Sequence, residues 1–361
     1  MTINSKRIIR IAIIGAGRVA QHYKSIFDSN VVSDFKVVGV CDIKLVAAEN
    51  LARHWQCESF TDLEEMLNKC LPDLLLILTP SGLHYSHALT ALKSGYNVLT
   101  EKPVTLITKQ AEELIALAKQ RGLMFGVAFQ NRLNPAIKCL REAVGKERFG
   151  QITTATIRLR WCRYQEYYQD EWHGTWSQDG GVINQQAIHH IDALNWLMGP
   201  VDEVCATMGN RLNILEAEDT MVGLLRFKSG AMGTIEATTA ARPCDVEASL
   251  SIIGEGGVAV VGGIALNKIE TWQFVEPQQF DNEAKDKFSN DVPTGYGLSH
   301  GQLLEETLER LRCGSTVAPV PAEDCVATGS LIHALYASVE NGGWVKLADK
   351  PISQKLGNKS I

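Results

Sequence analysis

The hydrophobic positions in the first third of the chain form short, nearly continuous apolar runs that alternate with stretches of helical spacing. Apolar runs of this kind are typical of parallel strands that are buried on both faces of a sheet. Strands are predicted at residues 8–14, 35–41, 74–78, 98–100 and 123–129, and helices at about 18–27, 61–70 and 108–121. This regular alternation predicts an α/β domain with a doubly wound parallel sheet.

The second half has a different pattern, because polar and apolar residues alternate along longer strands. Strands are predicted at residues 151–162, 201–210, 219–227, 231–239 and 247–253. We therefore predict two domains, residues 1–130 and 131–361, the second being an α+β domain with one large, open, mostly antiparallel sheet. A second copy of the chain would cover such an open face, so a homo-oligomer, either a dimer or a tetramer, is expected.

The composition is that of a globular protein that acts on small molecules. The chain has 361 residues, a net charge of -6 and no basic block, so neither nucleic acid nor a membrane surface is an expected partner. Nine cysteines without a CxxC pair indicate reduced thiols, and hence a cytoplasmic protein without disulfides or a zinc site. Neither a signal peptide nor a membrane span is recognisable in the sequence.

A glycine-rich turn separates the first predicted strand from the first helix. It has the form GxGxxA, and the residues predicted to bind a cofactor there are Gly15, Gly17, Arg18, Val19 and Ala20. In this motif the first glycine allows a tight turn, the second admits a pyrophosphate, and the alanine permits close helix packing. The second strand ends at Asp42, whose carboxylate would bind ribose hydroxyls and repel the additional phosphate of NADP. The pattern predicts a Rossmann domain with NAD as cofactor, although Lys44 leaves NADP open.

Two further strand ends carry polar residues at the same edge of the predicted sheet. Ligands of open α/β sheets bind at the carboxyl ends of the strands, so these residues are predicted to line the nicotinamide end of the cofactor site. They are Thr79, Pro80, His84, Glu101 and Lys102. Pro103 restricts Lys102 to an extended conformation, which directs the lysine side chain and makes it the leading catalytic candidate.

A helical segment in the second half supplies another set of candidates. It follows Gly180-Gly181, interpreted as a flexible approach, and runs from about residue 185 to residue 198. Gln185 and His189 are one turn apart on such a helix, whereas His189 and His190 point about 100° apart and cannot easily bind one metal ion. No metal is therefore predicted. Side chains upstream that could hold an anion or stack on a ring include Arg160, Arg163 and Tyr168.

Taken in order, these motifs resemble those of the glucose-fructose oxidoreductase, inositol dehydrogenase and MocA superfamily, and the resemblance covers nearly the full length. The matching residues are Gly15-Ala16-Gly17, Asp42, Thr100-Glu101-Lys102-Pro103, and the segment from Gly180-Gly181 through His189 to Asp192. The resemblance implies an enzyme, an NAD-dependent dehydrogenase that oxidises a CH–OH group of a sugar. It also implies Lys102, His189 and Gln185 as the catalytic set.

A closer resemblance is to the UDP-N-acetyl-2-amino-2-deoxyglucuronate dehydrogenases of bacterial surface-polysaccharide biosynthesis. It rests on residues 129–135, 167–176 and 186–192. It implies oxidation of the sugar 3-hydroxyl to a ketone and an anionic nucleotide-sugar substrate, whose predicted contacts are Arg132, Arg160, Arg163, Tyr168 and Gln186. One position departs from the pattern, since Gln185 stands where the wider superfamily has aspartate and this branch tends to have asparagine. A carboxylate there would raise the basicity of His189.

Two questions stay open at this point. Either His189 takes the hydroxyl proton while Lys102 donates a hydrogen bond to the oxyanion, or Lys102, with a pKa lowered beside the nicotinamide, is itself the base. The alternative activities are another sugar or cyclitol dehydrogenase of the same superfamily and a non-catalytic NAD-binding regulatory protein.

Overall fold

The computed structural model describes residues 7–358, and these form two compact units. The first unit contains the described residues up to Gln130 together with Ser299–Val326. The second contains Asn131–Leu298 and the described residues from Ala327 onward. Each unit has its own sheet and its own buried core. Among the residues described, no helix is long and apolar enough to cross a membrane.

The first unit is built on a six-stranded sheet in which every neighbouring pair is parallel. Its strands are β1 Ile9–Ile14, β2 Phe35–Cys41, β3 Glu58–Phe60, β4 Leu74–Ile77, β5 Asn97–Thr100 and β6 Phe125–Val127. They lie in the order β3-β2-β1-β4-β5-β6, so the winding direction reverses between β1 and β4. The predicted doubly wound parallel sheet is confirmed. Only β3 was not predicted, because its three residues contain no apolar run.

Five helices connect these strands. They are α1 Arg18–Asp28, α2 Leu45–Trp55, α3 Leu63–Cys70, α4 His84–Lys93 and α5 Thr108–Arg121. In α1 the buried residues Ala20, Tyr23, Ile26 and Phe27 are three or four positions apart, so they form one apolar stripe toward the core. β4 is buried at all four positions, which places it in the middle of the sheet with a helix layer on either side.

The second unit is built on an eight-stranded sheet in which β7 and β10 are the only parallel pair of neighbours among the described strands. The strands are β7 Ile152–Arg160, β8 Val201–Gly209, β9 Thr220–Phe227, β10 Met232–Thr238, β11 Glu247–Gly254, β12 Gly257–Gly262, β13 Lys268–Phe274 and β14 Val345–Lys346. Their order is β13-β12-β11-β7-β10-β9-β8-β14. The predicted large, mostly antiparallel sheet is confirmed.

One face of this sheet is covered by helices and the other is open. The helices of this part of the chain are α6 Pro135–Gly145, α7 Val182–Gln185, α8 Ile188–Met198 and α9 Asp281–Phe288, and α8 packs on β7 and β11. In β9 the side chains alternate, with Met221 and Leu225 buried beneath the helices and Val222 and Leu224 exposed on the other face. The strand period therefore separates an inner face from an outer one.

The observed domain division differs from the predicted one in the segment from residue 299 to residue 326, which packs within the first unit. Helix α10, Ser299–Arg312, contacts α1 and β1, and after it Val320 accepts a hydrogen bond of 3.1 Å from the backbone N–H of Val127 in the edge strand β6. The last helix, α11 Val326–Asn341, returns the chain to the second unit. A contiguous division into 1–130 and 131–361 misses this return because local patterns do not record which sheet edge a later segment covers.

Candidate active-site residues

The glycine-rich turn of the first unit has the shape that a dinucleotide pyrophosphate requires. Gly15 has φ +96°, and a Cβ there would stand 2.6 Å from the carbonyl group of Leu78, so no other residue fits this close approach. Gly17 faces open space. Helix α1 begins directly after Gly17 without a side-chain cap or an acidic residue in its first turn, so its positive end is available to phosphate.

Asp42 is held beside this turn by two backbone hydrogen bonds. Its Oδ2 accepts a hydrogen bond of 2.8 Å from the N–H of Ala16, and its Oδ1 accepts one of 2.8 Å from the N–H of Lys44. A carboxylate oxygen can accept a second hydrogen bond, so the fixed group is well placed for ribose hydroxyls and would repel a phosphate. The geometry of the turn and of Asp42 thus fits NAD, which supplies a hydride acceptor when it is bound.

His84 connects the two strand-end loops that were predicted to lie near the nicotinamide. Its Nδ1 is 2.7 Å from the carbonyl oxygen of Pro103 and its Nε2 is 3.0 Å from that of Thr79. The ring is only 1% exposed, and burial lowers the pKa of His84 to about 4. A neutral imidazole has one N–H, so the ring donates to one of these carbonyls and only contacts the other. His84 thus lies between the loop after β4 and the loop after β5, while Thr79 and Pro80 are half-buried at the edge itself.

The segment after β5 brings together a buried carboxylate and a half-buried lysine. Glu101 is 7% exposed and its Oε1 accepts a hydrogen bond of 3.0 Å from the hydroxyl of Tyr23, a residue that sequence reasoning did not single out. The next residue, Lys102, is half-buried at the carboxyl end of the strand. Burial raises the pKa of Glu101, while the charge of Lys102 opposes that rise.

In the second unit, Gln185 ends α7 and His189 lies in the first turn of α8. Both are half-buried, whereas their neighbours Gln186, Ile188 and His190 are buried. The backbone stays in the right-handed helical region between α7 and α8, so the four-residue spacing places Gln185 one turn before His189. The pairing of the predicted base His189 with Gln185 stays a prediction.

His190 faces the sheet instead. It is 1% exposed, its ring meets that of Trp161 edge-on with centroids 6.3 Å apart, and burial lowers its pKa to about 4. The two adjacent histidines thus point in different directions. Among the residues that the structure describes, no group of His, Cys, Asp and Glu side chains could hold a metal ion.

The double glycine before α7 forms a fixed turn, so its interpretation as a flexible approach was wrong. A Cβ on Gly181 would stand 2.1 Å from Oε2 of Glu218. Oε1 of Glu218 accepts hydrogen bonds from Tyr336 (3.1 Å) and from the N–H of Ile183 (3.2 Å). Burial raises the pKa of Glu218 to about 8. Sequence reasoning missed Glu218 because its 37-position separation from Gly181 carries no local signal.

The arginines predicted to hold an anionic substrate already have carboxylate partners. Arg132 forms two hydrogen bonds of 2.7 Å with Asp192 and is 5% exposed. Arg160 lies 2.6 Å from Glu236 on the open face of the sheet. Strand alternation places that face opposite α8, so Arg160 does not join the group around His189. Arg132 likewise serves the interior of the unit.

Arg163 and Tyr168 lie in the segment after β7. Arg163 is half-buried, 3.0 Å from Asp245 and stacked over the ring of Trp161 with 4.9 Å between the guanidinium carbon and the ring centroid. The hydroxyl of Tyr168 is 2.8 Å from that of Thr239, and burial raises the pKa of Tyr168 to about 12. An anion would have to compete with one carboxylate for Arg163, whose side chain is 23% exposed, against 5% for Arg132 and 37% for Arg160.

A parallel sheet with a GxGxxA turn after its first strand and an aspartate after its second defines an NAD-binding oxidoreductase. Two family models match this chain: "Oxidoreductase family, NAD-binding Rossmann fold" over residues 9–129, and "GFO/IDH/MocA C-terminal domain" over residues 137–260. The chain belongs to the GFO/IDH/MocA family of NAD-dependent oxidoreductases. The predicted resemblance to this superfamily is thereby confirmed.

Among solved structures, the chain is similar to the WlbA dehydrogenase from Chromobacterium violaceum in complex with NADH and UDP-GlcNAcA. The two are 31% identical with a TM-score of 0.87, over 95% of this chain and 97% of that one. Among curated proteins, it is 28% identical to D-glucoside 3-dehydrogenase of Escherichia coli over 64% of this chain and 70% of that protein. It is 32% identical to UDP-N-acetylglucosamine 3-dehydrogenase of Acidithiobacillus ferrooxidans over 37% of this chain and 41% of that protein.

Proposed function

We propose that this protein is an NAD-dependent sugar dehydrogenase that oxidises the 3-hydroxyl of UDP-N-acetyl-2-amino-2-deoxyglucuronate to a ketone. The observation that carries the proposal is Lys102, half-buried at the carboxyl end of β5 in a unit whose glycine turn and Asp42 fit NAD. Support for the substrate comes from the similarity, over nearly the whole chain, to a dehydrogenase solved with NADH and UDP-GlcNAcA. Such sugars are precursors of surface polysaccharides, as the sequence resemblance implies.

The reaction requires a proton acceptor and a hydrogen-bond donor from the protein's own residues. As the carbinol carbon loses a hydride, its hydroxyl must lose a proton, and His189 on α8 takes it. Lys102 donates a hydrogen bond to the oxygen as negative charge develops there. If Lys102 is deprotonated at the working pH, these two roles are exchanged.

Gln185 distinguishes this chain from a superfamily member with a carboxylate at the same position. Its carboxamide can orient the imidazole of His189 from one turn away, but it carries no charge that would stabilise the imidazolium. We therefore expect His189 to be a weaker base than it would be beside an aspartate. Replacing Gln185 by Asp should shift the acidic limb of the pH profile to higher pH.

The proposal is tested by incubating the purified protein and NAD with UDP-N-acetylglucosaminuronate, UDP-N-acetylglucosamine and free glucosides while NADH absorbance is followed. The uronate should give the largest kcat/KM, and mass spectrometry should find a product lighter by two hydrogens. Lys102→Met should lower turnover at least about a hundredfold with little change in NAD affinity. A near-normal rate in that variant would remove Lys102 from the chemistry.

A second candidate is oxidation of a simple glucoside, which the similarity to D-glucoside 3-dehydrogenase favours. The arginine pairing described above also supports it, because Arg132 and Arg160 are engaged by carboxylates. Greater activity on glucosides than on UDP-uronates in the same panel would establish this alternative. NAD binding without NADH formation from any sugar would instead indicate a regulatory protein.

We also propose that the open sheet face joins copies of the chain into a dimer or tetramer. Exposed apolar side chains on this face support it, namely Val222, Leu224, Met232 and Ile253. Replacing Val222 and Leu224 by lysine should lower the mass measured by light scattering, while a monomeric wild-type mass would refute the proposal.

A further inference from the structure

A buried group of titratable side chains surrounds Glu101 on the side of the first unit away from His84. Tyr23 from α1 donates to Oε1 of Glu101 at 3.0 Å, and Nε2 of His300 from α10 lies 3.7 Å from the same oxygen. Nδ1 of His300 is 3.4 Å from Nε2 of His22, which is half-buried. Tyr23, Glu101 and His300 are 1%, 7% and 3% exposed. No step of the proposed reaction has used these residues.

A buried carboxylate persists as an anion only where donors and positive charge offset the loss of water. The hydrogen-bond donor here is Tyr23 on α1, the His300 ring on α10 lies at 3.7 Å, within ion-pair distance, and the positive charge comes from Lys102, the next residue in the chain. The backbone N–H of Lys102 also lies 3.4 Å from Oε2 of Glu101. Glu101 is therefore fixed between the helices on one side and the lysine on the other.

We propose that Tyr23 and His300 are positioning residues for Lys102, because they hold Glu101 ionised and oriented beside the lysine. This inference rests on the proposed function in which Lys102 takes part in the reaction. It also gives the return of residues 299–326 to the first unit a role, since that segment delivers His300 to Glu101. Tyr23 in turn connects Glu101 to the helix that begins at the glycine turn.

The direction of the effect follows from the charges that face Glu101. The groups next to Glu101 are Tyr23 on α1, His300 on α10 and Lys102 after β5, and His22 on α1 lies next to His300. Burial raises the pKa of Glu101, and the Tyr23 hydrogen bond lowers it, so removal of the hydroxyl raises it further. Burial lowers the pKa of His22, so that ring adds no positive charge at neutral pH. The Tyr23 hydroxyl also holds the carboxylate in place, so its loss weakens the charge contact that favours the ammonium form of Lys102, and the pKa of Lys102 should fall.

The test is Tyr23→Phe, which deletes one hydroxyl and keeps the buried ring. The matched control is Tyr96→Phe, because the hydroxyl of Tyr96 also donates a 3.0 Å hydrogen bond, to the carbonyl of Leu67, but at the opposite end of β5. The limb of the kcat–pH profile that Lys102 governs should move to lower pH by at least about half a unit in Tyr23→Phe. NAD affinity and the behaviour of Tyr96→Phe should stay within about twofold of wild type.

A second measurement does not depend on the substrate. Reductive ¹³C-methylation of the lysines allows the pKa of each to be read by NMR, and the signal absent from Lys102→Met identifies Lys102. Its pKa should fall in Tyr23→Phe and in His300→Gln but not in Tyr96→Phe. An unchanged Lys102 titration in both variants would overturn the inference even if wild type oxidises sugars. If the wild-type protein oxidises no sugar but the two variants show the lowered Lys102 pKa, the proposed function alone is refuted.

Discussion

The buried pair of Arg132 and Asp192 gives the sharpest stability prediction. The two side chains are 5% and 1% exposed and share two hydrogen bonds of 2.7 Å. Asp192 also accepts a hydrogen bond of 2.8 Å from the hydroxyl of Thr328. Removing one member leaves the other as a buried charge without its partner, which costs about 3–5 kcal/mol. Asp192→Asn should therefore lower the free energy of unfolding of the second unit by that amount.

Urea unfolding followed by tryptophan fluorescence measures this change, because six of the seven tryptophans, all except Trp55, belong to the second unit. The matched control is Arg141→Met. Arg141 contacts the same Trp196 ring as Arg132, at 4.9 Å against 5.4 Å, but is exposed, so its loss should cost less than about 1 kcal/mol.

A double variant separates the two parts of the argument. Arg132→Met combined with Asp192→Leu removes both charges, and it should recover much of the stability lost in Asp192→Asn. If Asp192→Asn unfolds within about 1 kcal/mol of wild type, the pair is not the buried, desolvated contact described above.

Three further predictions test other parts of the structure. The pKa of His190 is lowered to about 4 in the folded protein, whereas an unfolded histidine titrates near 6.5. As the pH falls, the unfolded state therefore binds this proton before the folded state does. The stability of the second unit should therefore fall between pH 6.5 and 4, by about 2 kcal/mol at pH 5, and His190→Leu should remove that part of the slope in urea titrations. Gly181→Ala should destabilise the second unit by at least about 2 kcal/mol, because the added Cβ would overlap Glu218. Gly145→Ala at the end of α6 should be neutral, because a Cβ there meets nothing within 4 Å. Equal melting temperatures for the two variants would contradict the described turn. Asp42→Ala should weaken NAD about tenfold in fluorescence titrations and bring the NADP affinity close to that of NAD; an unchanged preference would show that Asp42 does not select the cofactor.

Much of the fold was predictable because its signals are local. The apolar runs of β1 and β4, the glycine turn and the alternation along β7 and β9 each reflect a contact made within a few residues or a single period. The four-residue spacing of Gln185 and His189 likewise predicted a shared helix side, and both are half-buried in the structure. Short strands such as β3 carry too few residues for a period to be recognised.

The sequence by itself determined the parallel sheet with its cofactor turn, the mostly antiparallel sheet and the residue types available for chemistry. Tertiary structure alone decided how each charge is paired and buried: Arg132 is paired with Asp192 in the interior, whereas Arg160 and Arg163 are half-buried and paired with Glu236 and Asp245, although all three arginines look alike in the sequence. It also decided that Glu218 shapes the turn at Gly181 and that His300 reaches Glu101. The physical reason is that pairing and burial depend on residues tens to hundreds of positions apart, which the periodicity of a single segment does not encode.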